Sequence, residues 1–344
     1  MTKLSRLFFI IKIFLLLLDF GYFSFQDKLF RKILENNKTE NILISPFSIY
    51  QILSLLSNGA TAETQKEIFQ TIYPNKEINK NLLNDLNSNI NETISNIILE
   101  NSIKTSCHSK DKDKCRIHFN NINGIFYKKG IKLNEEFTKI CHNYITLYYE
   151  MVDANQINKF YKEHTNGKID NIFDEIDQKT LSILINLISF KGVWYEKFRE
   201  LNNDKQNFTN SDKTKVIVDT MYQKYKEQLY YEDEKIQIIS LPYISNHLKF
   251  EMIIILPNLT KYSSPIDYLN KETITFNELY SKMKLKKNIH LYLPKFNANF
   301  QIDLLETLQK LGIKSLISKN FNNIYSNQNL LFDKLLQQTY FDIN

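Results

Sequence analysis

Apolar residues return every three or four positions through the first third of the chain. Leu29, Phe30, Ile33 and Leu34 form one stripe, and Ile49, Ile52, Leu53 and Leu56 form another, the spacing that turns one side of a helix toward a core. Ser45 with Pro46 reads as the N-cap and first-turn proline of the second of these helices. Thr64 with Glu67 reads as a capping box opening a third, through Ile68 and Phe69. From Ile117 the pattern changes to strands. IHFNNINGIFY directs Ile117, Phe119 and Ile122 to one side, and helical stretches follow near 135–144 and 157–164. LSILINLISF, 181–190, is apolar almost throughout, as in a strand covered on both faces. KVIV at 215, KIQIISLPY at 235, KFEMIIILP at 249 and NIHLYLPKF at 288 read as further strands. DLLETLQKLG is a last helix closed by Gly312 at a left-handed position. No linker or repeat divides the chain, so the pattern predicts one α+β domain over 25–344, a helical N-terminal region packed on a large, mostly antiparallel sheet system.

Composition narrows the function classes. With 43% hydrophobic and 13% aromatic residues the chain buries a sizeable core, and its formal charge of +6 is small against 44 basic and 38 acidic side chains. The densest basic run, KMKLKKN at 282–288, precedes an alternating strand and reads as a solvated linker, so no nucleic-acid partner is expected. Residues 1–24 read as a signal peptide, with basic residues ahead of an apolar run from Leu7 to Leu18. Lys12 interrupts that run, Asp19 closes it, and it is shorter than the roughly 20 residues of a membrane-spanning helix. No small-x-small cleavage site follows clearly, so an anchor stays open as the alternative. The expected location is extracellular, and four N-x-S/T triplets, at Asn37, Asn91, Asn207 and Asn258, agree with a secreted glycoprotein. Cys107 and Cys115 bracket the polar stretch HSKDKDK and form a candidate disulfide, with Cys141 left over. His108 and His118 lie near this pair, but no CxxC or HxxxH spacing accompanies them, so neither a metal nor a cofactor is expected.

Catalytic motifs are missing from the sequence. GxSxG, HExxH, the P-loop and GxGxxG do not occur, and none of the six histidines stands beside a serine or cysteine in a local nucleophile motif. An enzyme is therefore not the expected function.

Several separated stretches resemble one family in register. NILISPFSIYQILSLLSNGATAETQKEI (41–68), NGIFYKKGIKLNEEF (123–137), HTNGKI (164–169) and INLISFKGVWYEKF (185–198) are similar to serpin segments. MYQK, ISLPY, IIILPN and LYLPKFNANF follow in the order and spacing of that family. The resemblance runs from about Phe25 to Asn344. It implies a protease-inhibitor fold in which Ser45, Ser48, Asn123 and Asn186 lie beneath the main sheet, where polar contacts regulate its opening, and Trp194 sits at the breach-like position. Gln337 stands where the family usually has a histidine in this cluster, and Phe160 where the helix crossing the sheet usually has tryptophan. A glutamine both donates and accepts but does not titrate.

LLFDKLLQQTYFDIN, 330–344, resembles the strand that leads into the family's reactive loop. The loop and last barrel strands are thus expected to be absent from these 344 residues, leaving edges uncovered and favouring self-association. The resemblance implies a serine or cysteine protease as partner of a complete form, and inhibition by loop insertion. A secreted, non-inhibitory binding protein on the same scaffold is the alternative.

Overall fold

The computed structural model describes residues 8–14, 20–36, 41–74, 80–102, 117–141, 147–151, 153–199, 203–210, 214–245, 249–317, 321, 323–326 and 332–343. The first half contains β1 (Phe8–Phe14), α1 (Phe20–Asn36), α2 (Pro46–Gly59), α3 (Ala62–Ile72), α4 (Lys80–Ser102), β2 (His118–Lys128), α5 (Glu135–Cys141), β3 (Leu147–Met151) and α6 (Ala154–His164). The second contains β4 (Ser182–Lys191), β5 (Asp204–Thr209), β6 (Lys215–Glu232), β7 (Ile236–Pro242), β8 (Lys249–Pro257), α7 (Pro265–Lys271), α8 (Phe276–Ser281), β9 (Lys284–Pro294), β10 (Phe296–Asp303), α9 (Leu305–Lys310) and β11 (Lys334–Ile343).

Two sheets organise these elements. One is ordered β10-β11-β4-β2-β3, the other β1-β8-β7-β6-β5 with β9 also on β6. The five-stranded sheet is mixed rather than mostly antiparallel, because β11 pairs parallel with β4 and β3 parallel with β2. The apolar run at 335–343 is a buried strand with neighbours on both sides, β10 and β4.

β4 shows why the sheet is covered twice. Alternate side chains serve two cores: Leu184, Ile188 and Phe190 join the main core with α2, while Ile183, Ile185 and Leu187 join a second beneath α6 with Ile157 and Tyr161. Helix α2 lies in the middle of the main core, with every residue except Pro46 and Asn58 buried. Its serines fit there because Ser54 and Ser57 donate to the carbonyls of Tyr50 and Ser54, at 2.8 and 2.6 Å. A third core lies between the six-stranded sheet and α7 and α8, built on Ile236, Ile238, Ile253, Tyr268 and Leu279.

Three local expectations are corrected. α3 starts after Thr61, so Thr64 is a buried interior residue and Glu67 accepts from the backbone and hydroxyl of Ser315 instead of closing a capping box. Ile122 faces the α6 core, opposite to Ile117 and Phe119, as its odd spacing from Phe119 requires. KMKLKKN is not a linker, since β9 begins at Lys284 and Lys284, Lys286 and Lys287 pair with Tyr230, Gln228 and Glu227 of β6. The outer edge of β8 is paired antiparallel with β1, from Phe8 opposite Ile255 to Phe14 opposite Lys249. The expected leader boundary after residue 24 falls within α1.

Helix α1 is tied to the segment joining α7 and α8 through Arg31, which donates to the carbonyls of Leu269, Glu272 (3.1 Å) and Ile274 (3.2 Å). Asp27, one turn earlier, accepts from the Phe276 backbone, and burial raises its pKa to about 6 despite the Arg31 charge. A raised carboxylate pKa stabilises the fold fully below the unfolded value of 3.8, and that contribution is lost as pH rises through about 6. Asp27→Asn keeps the acceptor and removes the charge. It is expected to add roughly 2 kcal/mol at pH 7.5 and almost nothing at pH 4. Thermal unfolding of both proteins across that range checks the crossover.

Candidate functional site

The N-terminus of α2 lies under the middle of the five-stranded sheet, and register brings three amides into one row above it. Gln337 of β11 is opposite Asn186 of β4, which is opposite Asn123 of β2. Ser48, Asn186 and Gln337 are fully buried and Asn123 nearly so. Ser45 is the N-cap whose side chain accepts from Ser48 N–H at 3.4 Å, and this turns the first turn of α2 toward the row.

The row satisfies itself. Gln337 Oε1 accepts from the Ser45 N–H at 3.0 Å. Its Nε2 lies 3.1 Å from the Ser45 carbonyl, 2.8 Å from Ser48 Oγ and 3.0 Å from Asn186 Oδ1, three acceptors for two hydrogens. Asn186 Oδ1 also accepts from Ser48 Oγ at 2.7 Å, and its Nδ2 donates to Asn123 Oδ1 at 2.7 Å and Asn121 Oδ1 at 3.1 Å. Asn121 in turn donates to Gln51 of α2. A seam of uncharged groups thus runs from α2 across three strands, and no member titrates in the physiological range. Glutamine fills the position usually held by histidine with one acceptor and two donors.

Both ends of the parallel β4–β11 pair are fastened. At one, Asp333 Oδ2 accepts from the N–H groups of Leu181 (2.6 Å) and Ser182 (3.0 Å). At the other, Lys191 and Asp342 approach to 3.9 Å. All five residues chosen from the sequence therefore meet in one network. Asn121, Gln51 and Asp333 were missed. The two-residue spacing of Asn121 and Asn123 was the available signal, since alternate strand residues share a face.

Trp194 lies apart from the seam. It bridges to Tyr243, and the two rings stack with centroids 4.5 Å apart and planes 15° apart. Gly192 makes room for Tyr243, because a Cβ there would lie 2.3 Å from the ring. A partly open cavity of about 120 Å3 adjoins Trp194 and is also lined by Tyr195, Glu196, Tyr225 and Gln228. Phe160, in place of tryptophan on α6, stacks on His164 with centroids 3.8 Å apart and meets Tyr161 edge-on.

Of the proposed glycan acceptors, Asn207 is exposed on β5, whereas Asn91 is half-buried in α4 and the threonine of its triplet, Thr93, is buried. Asn258 donates to the Glu234 carbonyl and accepts from Thr260. Asn37, Cys107, Cys115 and His108 lie outside the described residues. Cys141 ends α5 and His118 opens β2. Among the described residues no group of three or more metal-ligating side chains forms.

A family model described as Serpin (serine protease inhibitor) matches residues 22–344. The chain belongs to the serpin family. It is similar to alaserpin of Manduca sexta, 26% identical over 338 residues that cover 93% of this chain and 80% of that protein. It is also similar to human neuroserpin, 25% identical over 336 residues covering 92% and 76%. Among solved structures, the thermophilic serpin tengpin in its native state superposes with a TM-score of 0.78 at 24% identity, covering 94% of this chain and 80% of that one. Manduca sexta serpin-12 superposes with a TM-score of 0.77 at 22% identity, covering 94% and 87%. The family is one of protease inhibitors and not of enzymes.

Proposed function

We propose that this serpin is the body of a secreted inhibitor of serine or cysteine proteases, and that its β4–β11 seam is where a cleaved reactive loop enters. The supporting observation is how the polar row divides. Gln337 is tied to Ser45 by two bonds, while Asn186 is tied to Ser48 and Asn123. Parting β11 from β4 therefore breaks the Gln337 bonds to Asn186 and Ser48 and leaves both amides with partners. An entering strand offers ladder hydrogen bonds to both freed edges and apolar side chains to the cores above and below, so the net change favours insertion. In the family the loop follows the strand that β11 resembles, and this supports a loop downstream of β11.

A product that continues through that loop is expected to form a protease adduct that survives denaturing electrophoresis. Cleavage of the loop without any adduct, across trypsin-like, chymotrypsin-like, elastase-like and papain-like enzymes, would sink the inhibitory reading. The leader reading rests on residues 1–21 lying outside the family match and on the apolar run they contain. Expression of the whole chain in secretory cells should give protein in the medium whose first residue lies near position 25. Material retained in the cytosol with Met1 in place would overturn it.

A further inference from the structure

The cavity beside Trp194 combines aromatic rings with hydrogen-bond acceptors. Trp194, Tyr195 and Tyr225 supply aromatic rings, Glu196 a carboxylate, Gln228 an amide, and Leu241 and Pro242 apolar surface; among the described residues no lysine or arginine lines it. Gln228 donates one side-chain N–H to the Ser240 carbonyl, and its amide oxygen can accept from a guest. Burial, and after it the Glu196 charge, pushes the Tyr225 hydroxyl pKa up, which keeps this ring neutral. Aromatic faces attract cations, and a carboxylate and an amide oxygen accept hydrogen bonds from them. Tyr195, 68% exposed, stands at the open rim where it can cover a guest.

Size selects among cations. A cavity of roughly 150 Å3 holds benzene, so about 120 Å3 suits a flat group smaller than a six-membered ring. A guanidinium is planar, stacks on aromatic rings and presents a fork of donors to a carboxylate, whereas an ammonium is a compact, strongly hydrated point charge.

We propose that this cavity is a binding site for a guanidinium group, as carried by an arginine side chain, with Glu196 as its counter-ion and Tyr195 and Trp194 as its aromatic walls.

Trp194 is the single tryptophan of the chain, so its fluorescence reports on the cavity directly. Titration of the full chain with argininamide is expected to give a saturable change, with lysinamide at matched ionic strength binding several-fold more weakly. Glu196→Gln, at an exposed position whose folding is checked by its thermal midpoint, should weaken argininamide about tenfold by removing a charge-assisted pair worth about 1.4 kcal/mol. Tyr195→Ala should weaken it by a smaller factor. A linear, unsaturating response, equal binding of lysinamide, or an unchanged curve for Glu196→Gln would each overturn the proposal.

Discussion

Asn186→Ala is expected to remove roughly 3–4 kcal/mol of stability, lowering the thermal midpoint by about 8 °C. The size follows from which bonds are lost. Gln337 Nε2 keeps the Ser45 carbonyl and Ser48 Oγ as acceptors, and Ser48 can turn its hydroxyl to the Ser45 carbonyl at 3.0 Å. Asn123 Oδ1 and Asn121 Oδ1 both lose the bond that Asn186 Nδ2 donates to them. Each lost hydrogen bond of the row costs about 1 kcal/mol, and the missing amide leaves a void that β2 and β11 hold open. Ser48→Ala, which strands fewer groups, should cost less than half as much. Because the row contains no titrating group, the Asn186→Ala penalty should be the same at pH 5 and pH 8. Thermal melts of both variants test the ranking, and a loss under 1 kcal/mol for Asn186→Ala would show that the seam is not cooperative.

Residues 25–344 alone are expected to give no protease adduct and low recovery as a monomer. Trapping requires a peptide bond whose cleavage leaves an acyl ester on the protease, and then a freed strand that enters the sheet before water hydrolyses that ester. β11 is already consumed as a strand up to Ile343, paired along its length with β10 on one side and β4 on the other, so it cannot also supply that segment. The second half of the expectation concerns β8. Removing residues 1–24 removes β1, which exposes the donors and acceptors along β8 and creates a template for another chain. Incubation with the four protease types, followed by denaturing electrophoresis, tests the first half, and light scattering of residues 25–344 against 1–344 tests the second. A protease band shifted by the mass of the fragment would refute the mechanism, and two equally monomeric proteins would refute the role given to the β8 edge.

Much of this architecture was legible because local signals and burial agreed. The Ser45–Pro46 start of α2, the doubly covered β4 and the left-handed Gly312, with φ of +120°, stand where the pattern put them. The seam residues were reached only through family resemblance, since serine and asparagine in an Asn-rich chain carry no signal of burial by themselves. Failures came where tertiary pairing outweighed local chemistry. Thr64 and Glu67 have capping-box spacing, but Glu67 meets Ser315, 248 residues away. The lysines of KMKLKKN look solvated because they are, yet every second rung of β9 still needs a partner, which β6 provides. β6 itself runs from Lys215 to Glu232, although only its first residues showed strand character, because it is held by β5, β9 and β7 in turn.

The pairing of β1 with β8 has a consequence in time. Phe9 is among the first residues to leave the ribosome, and its partner Ile254 follows about 245 residues later. At about 5–20 residues per second, the apolar segment waits roughly 12–50 s before the edge it covers exists. During that interval it is an unpartnered hydrophobic stretch open to targeting factors, and afterwards it is a strand of a finished sheet. On the proposed leader reading, export and retention of the first strand become competing outcomes set by membrane engagement and completion of β8, and slowing synthesis between Asn36 and Lys249 should shift the balance toward export.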